Sequence, residues 1–436
     1  MKRIVCLLLC VGLLLAGCGR EQPIPATEPT TVTEPAPTEE PTRPVVEVTL
    51  EQETQKLKYE GLELQYWSML ESSATEARVM QQAAEYFEAT TGARVVFNWL
   101  SGNDQLLAEH LAGDTKMDLF EVPGKMLADH LSDALDLTEL AEDAGYEQKS
   151  WEVLRNQIFQ DCGSLKAVAL RPYLYGMYYN RDSFDALGIE ATPSTWEAYL
   201  EFCRDLKDRG YECLAMDQDR AHLILELHME RALGWYDLRD TMINGKWRKN
   251  EMAMTMIQAA IQFAEDGYLV KANPAVYPEG QNRLAQSNAL MVAGSSVLCS
   301  EVERSAQTEI NWGVFPYPGD GPGTGLLVDA DMLAVHGECA NPEAAFEFAM
   351  LLSTGGFDQL RTDATLGIPA DPGNVSPIVG ANTCMASATP RAPKWFTPDN
   401  NLLFTRLWDG YYKTGSYFAN QLNTLAENFA HEKSVG

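Results

Sequence analysis

The chain has 436 residues, with 62 acidic against 33 basic side chains and a formal net charge of −29. A protein that grips phosphate backbones concentrates Lys and Arg on one face, and no basic run occurs here, so nucleic acid is not an expected partner. The length exceeds what one hydrophobic core usually serves, which predicts two domains, and no apolar stretch beyond the N-terminus is long enough to cross a bilayer.

Lys2 and Arg3 precede an apolar block, Ile4 to Ala16, of the length of a secretory signal core and too short for a spanning helix. The block ends in Leu15-Ala16-Gly17-Cys18, which resembles the lipobox of bacterial lipoproteins. That resemblance implies a signal peptide over 1–17, cleavage before Cys18, acylation of its thiol and attachment to the extracytoplasmic face of the cell membrane. Arg20 to about Thr49 is rich in Pro, Thr and Glu and cannot bury enough apolar surface to offset its chain entropy. Residues 18–56 therefore read as a lipidated cysteine and an extended tether.

Beyond the tether, "LELQYW" (62–67) alternates like a strand, and Ala77, Met80, Ala84 and Phe87 recur at helical spacing until Gly92. "ARVVFNWL" (93–100) predicts a second strand, Leu106, Leu107 and Leu111 a helix closing at Gly113, and "MDLFEV" (117–122) a third strand. Strands alternating with helices predict a parallel sheet covered on both faces, with a ligand beyond the carboxyl ends of the strands. Those ends carry Trp67 with Glu71 and Ser72, then Ser101 to Asp104, then Glu121. Further on, Ser194 and Glu197 read as a capping box, Gly210 closes the helix, and Asn341-Pro342 opens another helix that Gly355-Gly356 should end.

Without the signal and Cys18, six cysteines remain. They include Cys203 and Cys213 on either side of Gly210, for which a local bridge and two buried thiols are both open readings. No CxxC pair occurs, so no zinc or other metal is expected. His222 and His228 lack metalloprotease spacing and read as helix-face packing, and neither a G-x-S-x-G elbow nor a P-loop is present. Neither enzymatic activity nor a cofactor is expected.

The segment "LYGMYYNRDSFDALGIEATPSTWEAYLEFCRDLKDRG" (174–210) resembles the most recognisable part of the family 1 extracellular solute-binding proteins, the receptors of carbohydrate ABC importers related to maltose-binding protein. The likeness rests on the aromatic-Asn pair Tyr179-Asn180, on Ser183 to Ile189 and on Pro193 to Glu197. It continues in "TTGARVVF", "GDTKMDLFEV", "LAQSNALMVAGSS", "WGVFPYPG" and "NPEAAFEFAMLLST". The resemblance implies an α/β, two-lobed periplasmic-binding-protein-like fold of type II, each lobe a mainly parallel sheet flanked by helices. Three hinge crossings should join the lobes, near Ala167 to Tyr173, Gly325 to Asp331 and Arg391 to Lys394. Lobe 1 is then 57–170 plus 330–390, and lobe 2 is 171–329 plus 391–436. A monomer with an ABC permease as its membrane partner is implied.

A sugar needs aromatic platforms for its ring faces and planar polar groups for its hydroxyl rim. Trp67 and Trp395 are the candidate platforms, whereas Trp151, Trp196, Trp247 and Trp312 read as packing. Asp217, Gln218, Asp219 and Arg220 form a polar cluster after a strand, Asp329 and Asp331 flank a crossing, and Tyr173 and Tyr175 lie on the first crossing. Carboxylates in a cleft suit a hydroxyl-rich ligand or a cation such as a polyamine. A sensory or scaffold lipoprotein, or a glycoside-acting enzyme, would be alternative uses of the same fold.

Overall fold

The computed structural model describes residues 57–391 apart from 114, 218–219, 245–249 and 274–277, and only the backbone of 125, 242–244, 254 and 271. The described strands are β1 (Glu63–Ser68), β2 (Arg94–Trp99), β3 (Leu119–Pro123), β4 (Val168–Asn180), β5 (Glu212–Met216), β6 (Leu269–Lys271), β7 (Ala289–Ser295), β8 (Trp312–Phe315), β9 (Leu327–Val335) and β10 (Thr389–Pro390). They form one sheet in the order β2-β1-β3-β9-β4-β7-β5-β6, with β10 on β9 and β8 on β4.

The two wings of this sheet are parallel and its centre is antiparallel. β1 pairs in parallel with β2 and β3, and β5 with β6 and β7. Between the wings, β9 runs antiparallel to both β3 and β4, and β4 runs antiparallel to β7. The long β4 belongs to both wings. Its start pairs with the end of β9 (Val168 with Leu333), and its second half pairs with β7 (Tyr175 with Ser295). The register shifts between Ala169 and Arg171, just before Pro172, whose missing N–H cannot serve a central ladder. β10 lies alongside, and the Arg391 amide continues it by donating to the Val328 carbonyl. Three crossing segments thus run side by side.

The elements follow from the sequence with small shifts. Helix Thr75–Thr91 buries Ala77, Met80, Ala84 and Phe87 and ends where Gly92 takes φ 82°, donating to the Glu88 carbonyl. Two local expectations are corrected. The helix Trp196–Asp208 is capped by Thr195, whose hydroxyl accepts from the Ala198 amide at 3.2 Å, because the Ser194 carbonyl is drawn away to Gly319. Gly355-Gly356 opens a helix, Gly355–Thr365, after Pro342–Ser353 has ended. Asp371 accepts from the Gly355 amide, Asn374 donates to its carbonyl, and Gly355 takes φ 60°. Cys203 and Cys213 are joined in a disulfide, which ties helix Trp196–Asp208 to β5.

Trp151 and Trp312 are buried and spend their indole N–H groups on the Pro369 carbonyl and on Glu303; Trp247 lies outside the described residues. Trp196 joins Tyr199, Phe263 and Tyr317 in an aromatic cluster that encloses His228, with the Trp196 and His228 rings 4.5 Å apart. Among the described residues neither nitrogen of His228 has a hydrogen-bond partner, and burial pushes its pKa down to about 4. The unfolded chain takes up this proton below its ordinary pKa of 6.5 while the folded chain refuses it, so stability falls as pH drops from 6.5 towards 4. The loss should reach about 3 kcal/mol. His228→Leu should remove this part of the acid sensitivity, as melting curves of both proteins between pH 7.5 and 4.5 would reveal.

Candidate functional site

An arginine in the apolar run of β4 must find partners, because a buried unpaired guanidinium is far costlier than a paired one. Arg171 is 6% exposed and sits at the shifted register. Its Nη2 donates to Glu121 Oε2 at 2.6 Å, its Nη1 to Glu76 Oε1 at 3.3 Å and its Nε to Asp331 Oδ2 at 3.1 Å. Glu121 is wholly buried and also accepts from the Tyr66 hydroxyl, the Ser68 hydroxyl and the Met69 amide. Burial alone would raise its pKa, but Arg171 and these hydrogen bonds outweigh that and hold it below the usual range. Glu76 has fewer donors, and there burial prevails and raises it. The Tyr173 hydroxyl completes the cluster on Asp331.

The neighbouring crossings are braced in the same way. Arg391 grips both oxygens of buried Glu226, at 2.7 and 3.1 Å, and donates to the Tyr175 hydroxyl at 3.1 Å. Glu230, also buried, accepts from the amides of Thr324 and Gly325 and from the hydroxyls of Thr324 and Thr389. The helical stretch that begins at His222 and breaks at Gly234, where φ is 72°, therefore holds the entrance to β9 and both ends of β10.

Above Arg171 lies a cleft of about 370 Å³. Its floor is Arg171, Pro172, Tyr173 and Asp331. One wall is the start of helix Thr75–Thr91, with Leu70, Ala74 and Thr75, together with Arg361 and Thr365. The other is helix Val297–Ala306, with Ser296, Val297 and Ser300 at its start and Arg304 in its last turn. A second opening of about 280 Å³ shares Tyr173 and Val297 and adds Tyr175, Arg220, Glu301 and Arg391. The arrangement offers hydroxyls, guanidinium groups and a tyrosine ring, and it suits reversible binding of a polar molecule.

The residues predicted from sequence divide. Tyr173 and Asp331 line the cleft, and Tyr175 and Arg220 line the second opening, where Arg220 pairs with Glu301 at 2.7 Å. Glu71 and Ser72 are exposed on the loop whose neighbours Leu70 and Ala74 line the cleft. Glu121 is sealed beneath the floor. Trp67 is not among the lining residues: the strand alternation turns it away from Tyr66 and Ser68, so its ring packs 4.2 Å from His110 and its N–H donates to the Lys116 carbonyl. Asp217 is buried, and its two oxygens accept from the Gly280 and Gln281 amides at the buried start of helix Glu279–Ala285. A Cβ at Gly280 would lie 2.7 Å from the Asp217 amide, so only glycine allows that approach. Asp329 is half-buried and accepts from the Ala330 amide; burial, against the pull of Arg391, pushes its pKa up to about 6. Gln218, Asp219 and Trp395 lie outside the described residues, as does Cys18.

Sequence reasoning passed over Arg171, Glu76, Arg361 and the wall from Ser296 to Arg304. Signals existed for two of these: a charge inside the run "VALRPYLYG", and a helix opening straight after the strand in "LMVAGSSVL".

A sequence profile described as "Bacterial extracellular solute-binding protein" matches residues 71–354. No curated protein sequence shows significant similarity. Among solved structures, the chain is similar to a chitin oligosaccharide binding protein, at 17% identity and TM-score 0.63, over 85% of this chain and 98% of that one. It is similar to the bacterial solute receptor AcbH, described as preferring β-D-galactopyranose, at 14% identity and TM-score 0.68, over 86% and 98%. It is also similar to RafE from Streptococcus pneumoniae in its apo-form, at 15% identity and TM-score 0.68, over 85% and 96%. At such identities these likenesses bear on the fold, which is the two-lobed, type II arrangement of such binding proteins.

Arg171→Met should destabilise the protein by about 3 to 5 kcal/mol, the cost of stranding buried carboxylates without a counter-charge. Without the guanidinium, their folded-state pKa values rise above the unfolded ones, and stability is lost as pH rises through them. Urea denaturation should therefore show a larger loss at pH 8 than at pH 5, and an equal loss would count against this role.

Proposed function

Because the chain belongs to the bacterial extracellular solute-binding proteins, we propose that it is the receptor of an ABC importer, binds a saccharide reversibly between two lobes and performs no covalent chemistry. The lobes are assigned as 57–170 plus 330–390 and 171–329 plus 391–436. The observation that carries this reading is the cleft over the crossings β4 and β9, walled by two helices and floored by Tyr173 and the Arg171 cluster. Hydroxyls of Thr75, Thr365, Ser296 and Ser300 line it and suit the rim of a sugar. Solved structures of similar fold include binders of chitin oligosaccharide and galactopyranose, which favours the same ligand class here. Acylated Cys18 and the tract to residue 56 are the proposed attachment to the extracytoplasmic face of the membrane, where permease subunits would receive the ligand.

A cation such as a polyamine is the less favoured ligand, because both carboxylates lining the cleft, Glu76 and Asp331, are already engaged by Arg171.

A soluble form beginning near Leu50 should be screened with mono- and oligosaccharides by thermal shift. A true ligand at a hundred times its Kd stabilises the folded state by about 2.7 kcal/mol. Only contacts with both lobes favour a closed form, so small-angle scattering with that ligand should give a smaller radius of gyration. A saccharide that binds without raising the melting temperature, or a panel without any binder, would reject the reading. Separately, Cys18→Ala should abolish labelling by a radioactive fatty acid and release the protein from the membrane fraction; undiminished label would refute the anchor.

A further inference from the structure

The charges lining the cleft do not match the charge of the chain. In a protein of formal net charge −29, the cleft is lined by three arginines, Arg171, Arg304 and Arg361, and by two acids, Glu76 and Asp331. Both acids are spent on Arg171. Arg304 is exposed on the cleft wall and has no hydrogen-bond or ion-pair partner among the described residues. Arg361 is 4% exposed and pairs through Nη2 with Asp358, yet its Nε is buried with no hydrogen-bond acceptor among the described residues. A buried guanidinium N–H left unpaired is costly, and a ligand oxygen would remove that cost.

Two helices begin at the same place. Thr75–Thr91 and Val297–Ala306 start on opposite walls, and neither N-cap residue, Ala74 or Ser296, caps its helix with a side chain. A helix start presents the positive end of its dipole, although the Cys299 amide in the first turn of Val297–Ala306 already donates to the Ser296 carbonyl.

We propose that the saccharide held in the cleft is acidic, and that a uronic-acid carboxylate binds between Arg361, Arg304 and the two helix starts. This rests on the saccharide reading above and narrows it. Arg171 and Arg361 are already paired, with Glu76, Glu121 and Asp331 and with Asp358, so Arg304 is the lining charge left to meet a carboxylate, which accepts from a guanidinium in the paired geometry that favours such contacts. The Thr75 hydroxyl remains for the sugar rim, and Thr365 and Ser300, whose hydroxyls donate to the Arg361 and Val297 carbonyls, can still accept from it.

The test uses matched probes on the full extracytoplasmic chain: oligomers of galacturonate, glucuronate and mannuronate, their methyl esters, and the neutral galactose, glucose and mannose counterparts. Calorimetric titration should find one acid form bound about tenfold or more tighter than both its ester and its neutral counterpart, as loss of a charge-assisted contact implies. Arg304→Gln should reduce that ratio about fivefold at an unchanged melting temperature, and Arg304→Lys should restore part of it. Since Arg304 is exposed, this variant tests binding without disturbing the buried Arg361–Asp358 pair. A neutral sugar or ester that binds as tightly as its acid would overturn the inference and leave the saccharide reading standing. Failure of every saccharide, acidic or neutral, would overturn both.

Discussion

One buried guanidinium organises the centre of this protein. Arg171 meets carboxylates from three separate segments: Glu76 from the first turn of a helix, Glu121 from β3 and Asp331 from β9. Removing four charged groups from water is expensive, and the geometry repays it only if nearly every donor and acceptor is matched. Glu121 meets that demand with four donors, one being the Met69 amide just past β1. Well-packed apolar residues would hold such a core at least as firmly, but they would not specify which strand ends meet. The ion cluster does so, since each oxygen has one position in which it is satisfied, and that position lies under the cleft.

The narrow link between the wings follows from the same logic. β4 and β9 carry the chain between them with β10 alongside, and each is clamped by a buried acid: Glu121 and Glu76 for β4, Glu230 for the approach to β9, Glu226 and Glu230 for β10 and Arg391. Clamping the ends of short crossings confines bending to the few residues between the clamps, the usual anatomy of a hinge. Asp217 does a related task away from the centre by tying the end of β5 to a helix start. Most acids of this chain are ordinary solvated surface, while these few are structural joints, and total charge does not distinguish the two.

That separation also explains how an acidic protein comes to have a cleft lined by more arginines than acids. Long-range repulsion between surface carboxylates is screened by salt within about 10 Å at 0.1 M, so a partly enclosed site answers mainly to its lining and to the buried carboxylates that pair with it, Glu121 and Asp358. The lining is set by which helix starts and which strand ends come together, a property of topology alone.

Much of the fold was legible because it rests on local patterns. The alternation of "LELQYW", the spacing of Ala77, Met80, Ala84 and Phe87 and the stop at Gly92 each state a preference of a few consecutive residues, and the folded chain agrees. Tyr173, Tyr175, Arg220 and Asp331 were legible as residues of the openings because strand ends and crossings are where open α/β sheets place ligands. The helix cap moved by one residue because the Ser194 carbonyl meets Gly319, 125 positions later, and the glycine pair opened a helix because Asp371 and Asn374 were there to satisfy it. Trp67 and Asp217 looked like ligand residues by position, yet their partners, His110 and the Gly280 amide, are chosen by packing that sequence order does not display. The sequence by itself determined the order and type of the elements and the family, since these depend on short-range spacing. Only the tertiary structure decided which charges are spent on one another and which remain free at the cleft, because a carboxylate's role depends on the donor that reaches it through space.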